Sequence, residues 1–180
     1  MLEKDVKKVL FSEEEITERC KALGKQITED YYAKGEVPLL VALLKGSVPF
    51  LSELMKHIDL PVELDFMVVS SYDGTESVGE VHVIKDLDRP IKGESILIVE
   101  DIVDTGRTLN SISSLLKHKG AKDVTICTLL DKPERRVVDV DVEYVGFNCP
   151  NEFVIGFGLD FNEKYRNLPY IGVLKEELYQ

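Results

Sequence analysis

Two hydrophobic periodicities alternate along the chain. Apolar residues recur at three- and four-residue spacing at Ile16, Cys20, Leu23, Ile27 and Tyr31, which places them on one face of a helix. Ser12-Glu13-Glu14-Glu15 forms a capping-box start for it, and Gly35 ends the pattern. Solid apolar runs read instead as strands buried on both faces: Val37–Leu44 (VPLLVALL), Ile96–Val99 and Asp123–Leu130, with Val62–Ser70 a second strand opened by Pro61. Between them Val48–Lys56 is helical with Leu51, Leu54 and Met55 inward, and Leu109, Ile112, Leu115 and Leu116 share a face of a helix that Gly120 ends. Val81–Ile84, Tyr144–Phe147, Phe153–Phe157 and Tyr170–Leu174 are shorter β segments. Strands alternating with helices predict an α/β fold, a parallel sheet of about five strands with helices on both faces. The expected organisation is a single domain, 1–180, with a core over about 36–148 and a small hood from the N-terminal helix and about 149–180.

Composition narrows the function classes. A chain of 180 residues with 44% hydrophobic and 31% charged residues can bury a real core and stay in solution. Its net charge of −11 argues against general binding of nucleic acid or anionic membrane. Cys20, Cys127 and Cys149 are odd in number and far apart, which suits reduced buried thiols better than disulfides or a metal site. The opening MLEKDVKKVL lacks the long apolar core and cleavage site of a signal peptide, and no apolar run reaches membrane-spanning length, so a cytoplasmic protein is expected.

The densest chemistry lies in Ile96–Asn110, ILIVEDIVDTGRTLN. A buried strand runs into two carboxylates, Glu100 and Asp101, then a turn at Asp104-Thr105-Gly106, then Arg107, Thr108 and a helix. That order suits a nucleotide site at the carboxyl edge of an α/β sheet. Asp104 to Thr108 offers consecutive backbone N–H groups, two threonine hydroxyls and a helix N-terminus, an anion nest sized for one phosphate. Gly106 permits positive φ and close backbone approach. Glu100 and Asp101 cannot bind phosphate; adjacent carboxylates beside a phosphate nest suit the two hydroxyls of a ribose. The alternative is an acidic strand end with nothing bound.

Other strand ends carry candidates that are ambiguous alone. Lys45-Gly46-Ser47 is either an ordinary strand–helix turn or an ammonium and free amides at the same sheet edge. Ser71–Glu80 (SYDGTESVGE) is either a solvated hairpin loop or a lid. Lys132 follows a core strand and is most simply exposed; Phe153 and Val154 read as strand residues, Asp160 as a turn residue and Arg166 as a surface charge.

A resemblance joins these pieces. Val99–Leu109, VEDIVDTGRTL, resembles the phosphoribosyl diphosphate (PRPP) motif of the type I phosphoribosyltransferases, most closely their hypoxanthine-guanine branch, and the similarity runs from about Leu40 to Leu174. It implies the type I fold with a hood and a flexible β-ribbon loop, and transfer of the 5-phosphoribosyl group from PRPP to a 6-oxopurine in purine salvage. It implies that Glu100, Asp101, Asp104, Thr105, Gly106, Arg107 and Thr108 bind PRPP and its 5′-phosphate, and that Asp104 serves as general base. Lys45, Gly46 and Arg166 are implied at the pyrophosphate, with a non-proline cis peptide at Leu44-Lys45; many relatives have glycine where this chain has Ser47. Lys132, Phe153, Val154 and Asp160 are implied at the purine, Ser71 and Tyr72 in the lid, and Mg²⁺ on Glu100, Asp101 and Asp160. A homodimer or homotetramer is the implied assembly. Alternatives within the superfamily are a xanthine-preferring enzyme and a non-catalytic RNA-binding regulator; Asp104 and the acidic charge weigh against the second.

Overall fold

The computed structural model describes residues 2–71 and 81–179. In chain order the elements are β1 (Val6–Phe11), α1 (Glu13–Lys34), β2 (Leu39–Leu44), α2 (Val48–Leu54), β3 (Glu63–Ser71), β4 (Val81–Lys85), β5 (Ser95–Val103), α3 (Arg107–His118), β6 (Asp123–Asp131), β7 (Tyr144–Asn148), β8 (Val154–Ile155) and β9 (Ile171–Leu174). Six strands form the central sheet in the order β4-β3-β2-β5-β6-β7. Five of them are parallel, as the alternating pattern requires, and β4 adds antiparallel to β3 at one edge.

The solid apolar strands fill both faces of this sheet because side chains alternate. Leu40, Ala42, Leu97, Val99, Cys127 and Leu129 pack toward α1 and α2. Leu39, Val41, Ile96, Ile98, Val124 and Ile126 pack toward α3 through Leu109, Ile112 and Leu116. The capping box of α1 is present: the Glu15 N–H donates to Ser12 Oγ at 3.2 Å and the Ser12 N–H donates to Glu15 Oε2 at 2.8 Å. Gly35 closes the helix in the left-handed region at φ 67°.

The hood differs from expectation in membership. It is a three-stranded antiparallel sheet, β1-β9-β8, with Ile155, Leu168 and Leu174 at its centre. The N-terminal helix belongs to the core instead, since Ile16, Cys20, Leu23, Ile27 and Tyr31 join the main apolar cluster. The hood strand β1, VKKVLF, escapes sequence reading because it lies against other hood strands with no solid apolar run of its own. All three cysteines are free and buried, and burial pushes the Cys20 thiol up to about 12, so it stays neutral. Among the described residues no helix is long and apolar enough to cross a membrane.

Candidate active site

The sheet creates the site by reversing direction. From β2 the chain moves through α2 to β3 on one side; from β5 it moves through α3 to β6 on the other. A crevice opens between β2 and β5 at their carboxyl ends, the usual ligand position in such sheets. Registered pairing of β2 with β5 ends at Ala42 and Val99, while β5 continues beside β6 to Val103. Glu100 and Asp101 therefore sit inside β5, in the part that β2 leaves uncovered, and not in the loop after it.

Asp101 is buried and Glu100 partly so. Glu100 Oε2 is out of contact with solvent and has no hydrogen-bond partner. Burial, and then the adjacent Asp101 carboxylate, push the Glu100 pKa well above the usual carboxylate range. Burial also raises Asp101, against the opposing pull of backbone hydrogen bonding and the Arg166 charge. Within the pair it is the Glu100 Oε2 oxygen that lacks a donor or a cation. A ribose diol or a divalent ion would supply one.

Beyond β5 a cavity of about 130 Å³ is lined by Glu100, Ile102, Val103, Asp104, Thr105, Gly106, Thr108 and Leu109. It opens at the start of α3, whose first N–H groups have no partner within the helix. Gly106 caps that helix at φ 82°, and a Cβ there would strike the Val138 carbonyl oxygen, Arg136 and Val140. Thr105 holds the turn from outside by accepting from the Val137 and Val138 N–H groups at 3.0 and 3.1 Å. Arg107, the first residue of α3, does not line the cavity.

A larger cavity, about 570 Å³, lies next to it and takes in Ile102, Asp104, Lys132, Arg135, Asn151, Phe153 and Val154. Lys132 is only 7% exposed, so the simple surface reading does not hold. Its ammonium donates to the Glu152 carbonyl at 2.6 Å, one neutral acceptor for three donors. Phe153 remains 38% exposed. Ile102 and Asp104 line both cavities and divide them. Asp104 also accepts from Arg135 Nε at 2.6 Å. Arg135 is one residue that sequence reading missed; its only signal was the Arg135-Arg136 pair shortly after Lys132, with no partner assigned.

Across the crevice, the Leu44-Lys45 peptide is cis. A Cβ on Gly46 would drive into the Asp101 carboxylate, and one on Gly158 into the Gly46 carbonyl. Ser47 is accommodated because its hydroxyl turns back to donate to the Leu43 carbonyl at 2.5 Å. Lys45 pairs with Glu163 at 2.6 Å, and Arg166 reaches Asp160 at 3.0 Å and Glu163 at 3.1 Å. Glu163, also missed, bridges both cations. Asp160 lies with Arg166, and the base-side cavity takes Leu159 from that segment instead. Among the described residues no three His, Cys, Asp or Glu side chains gather into a metal-holding group, so Glu100, Asp101 and Asp160 do not form one cage. Ser71 ends β3 with its backbone paired to Val81; Tyr72 and the rest of the expected lid lie outside the described residues.

A strand-borne acidic pair, a small cavity at the start of the next helix and a larger, open one beside it have the layout of a nucleotide-handling transferase site. The chain belongs to the phosphoribosyl transferase domain family, whose model matches residues 10–162. Among its relatives are hypoxanthine-guanine phosphoribosyltransferases of Streptococcus thermophilus and Streptococcus mutans, each 58% identical over 180 residues and 99% of both chains. A hypoxanthine phosphoribosyltransferase crystal structure from Staphylococcus aureus superposes with a TM-score of 0.95 at 52% identity, covering 99% of this chain and 97% of that one.

Proposed function

We propose that this protein transfers the 5-phosphoribosyl group from PRPP to hypoxanthine, guanine or both, releasing pyrophosphate and giving IMP or GMP. The observation that carries this is the partition: Ile102 and Asp104 border the phosphate nest on one side and the base cavity on the other. A ribose bridging the two cavities puts its anomeric carbon beside Asp104.

The roles follow from the chemistry of each group. The Asp104–Thr108 nest takes the 5′-phosphate, and Glu100 and Asp101 take the ribose hydroxyls. Phe153 and Ile102 flank the base. Lys132 has N–H donors to spare for a 6-oxo group, which the 6-amino group of adenine cannot accept. Lys45 and Arg166 exchange Glu163 for the leaving pyrophosphate, whose developing charge they stabilise. Asp104 takes the imidazole proton as N9 forms its bond to the ribose.

Mg²⁺ suits this donor set as an ion shared with the substrate. The unpartnered Glu100 oxygen and the repelling acidic pair favour it, and Mg²⁺ commonly binds through one or two carboxylates plus substrate oxygens. Glu100 and Asp101 would hold it, with Asp160 at the pyrophosphate end; when bound it supplies charge neutralisation of that leaving group. Buried free thiols and the acidic surface support a cytoplasmic enzyme that does not bind RNA.

Ultraviolet assays with PRPP, Mg²⁺ and hypoxanthine, guanine, xanthine, adenine or uracil test this directly. Turnover of hypoxanthine or guanine is expected. Turnover only of xanthine shifts the specificity, and turnover only of adenine or uracil, or of none, overturns the assignment.

A further inference from the structure

The segment after β9, KEELYQ, has no role in the site as read from sequence. The fold gives it one. The Leu174 N–H donates to the Phe153 carbonyl at 2.9 Å, which ties the end of β9 to the residue expected to carry the base. Lys175 N–H then donates to the Asp5 carbonyl at 3.0 Å, and Glu176 pairs with Lys7 at 2.8 Å, so the segment is pinned to the start of β1. A single turn follows, closed by the Leu178 and Tyr179 N–H groups donating to Lys175 and Glu176 at 3.1 Å each. It returns the chain so that the Tyr179 ring lies on Phe153, with centroids 5.0 Å apart and planes 24° from parallel. Phe161 meets the same ring edge-on, at 5.6 Å and 89°.

Two geometries could produce such a stack: a plug that fills the base position, or a backing ring behind Phe153. The cavity decides. Tyr179 is itself one of the residues that line it, yet about 570 Å³ stays open, with Ile102, Asp104 and Lys132 also in its wall, more than one purine needs, and Phe153 keeps 38% of its surface exposed. Part of Phe153 therefore stays accessible with Tyr179 stacked on it. An unbraced phenylalanine at this exposure would sample several rotamers and lose part of that freedom on binding.

We infer that Tyr179 is a positioning residue for the base: it backs Phe153, so that an incoming purine adds as a third layer to a preassembled stack. The inference rests on the phosphoribosyl-transfer assignment above. Tyr179→Ala is expected to raise the KM for hypoxanthine roughly 3- to 10-fold, the range of one aromatic pair, with the KM for PRPP unchanged. Tyr179→Phe keeps the ring and should stay within about twofold of the parent. An unchanged or lower hypoxanthine KM in the alanine variant overturns the inference, the lower value marking a plug. An equal rise in both KM values overturns it too, as a general loss of structure. If the parent protein turns over no purine at all, the enzymatic assignment falls and this one with it; if the parent is active and the alanine variant matches it, only this one falls.

Discussion

At the scale of single residues, the proposed chemistry turns on Asp104. Its local sequence makes it one member of an anion nest, and the family resemblance implies a general base there. In the fold it stands between two cavities and carries an Arg135 guanidinium at 2.6 Å. The ion pair is substantially exposed, so its own contribution to stability is small. Its value is orientation, because it fixes the carboxylate in the partition. Asp104→Asn keeps the shape and the acceptor for Arg135 but removes the base. Turnover should drop about 10²- to 10⁴-fold with the KM for PRPP within a few-fold of the parent. Steady-state kinetics with both substrates varied checks this, and an unchanged turnover number would remove Asp104 from the chemistry.

At the scale of elements, β5 and the turn into α3 were the most legible part. A solid apolar strand, an acidic pair and a Thr-Gly turn carry their spacing locally. What the pattern did not show was that β5 extends to Val103, beyond its solid apolar run, because β6 continues to pair with it there. The turn is less forgiving than its sequence suggests. Gly106 needs both positive φ and room against the Val138 carbonyl. Gly106→Ala should therefore cost about 1–3 kcal/mol of stability from backbone strain alone, visible as a lower thermal midpoint. It should also weaken PRPP binding, because the displaced turn carries the nest. A variant with the parent's midpoint and PRPP KM would show that this turn can shift freely.

For the whole molecule, charge is the property to explain. The net charge is −11, while PRPP, the proposed substrate, is itself anionic. Screening over roughly 8–10 Å at physiological ionic strength silences most of the distant carboxylates. Lys45, Lys132, Arg135 and Arg166 stand at the crevice; three of them are paired with Glu163, Asp104 and Asp160, so an anionic substrate would compete with these carboxylates for the cations. The acidic pair has a cost that depends on pH. Because the folded protein holds the Glu100 proton more tightly than the unfolded chain does, this group's contribution is intact at acid pH. It is lost as pH rises from the ordinary carboxylate range toward the raised folded value. Glu100→Gln has no proton to lose. Its melting temperature should exceed the parent's near about pH 8 by a few degrees and converge with it near about pH 4, while its PRPP binding falls. Melts across that range would refute this if the difference were constant or reversed.

The sequence by itself determined the alternation of strand and helix, the five parallel strands, the caps of α1 and the Glu100–Thr108 motif. Each of these is written in contiguous residues with a fixed period or spacing. Only the tertiary structure decided which distant segments meet. Lys132 is buried against Glu152, Arg135 holds Asp104, Glu163 bridges Lys45 and Arg166, and Tyr179 lies on Phe153. Burial and ion pairing at these points join elements separated by up to 118 residues. No local pattern encodes such contacts, because they exist only once the sheet has reversed direction and the hood has closed over its edge.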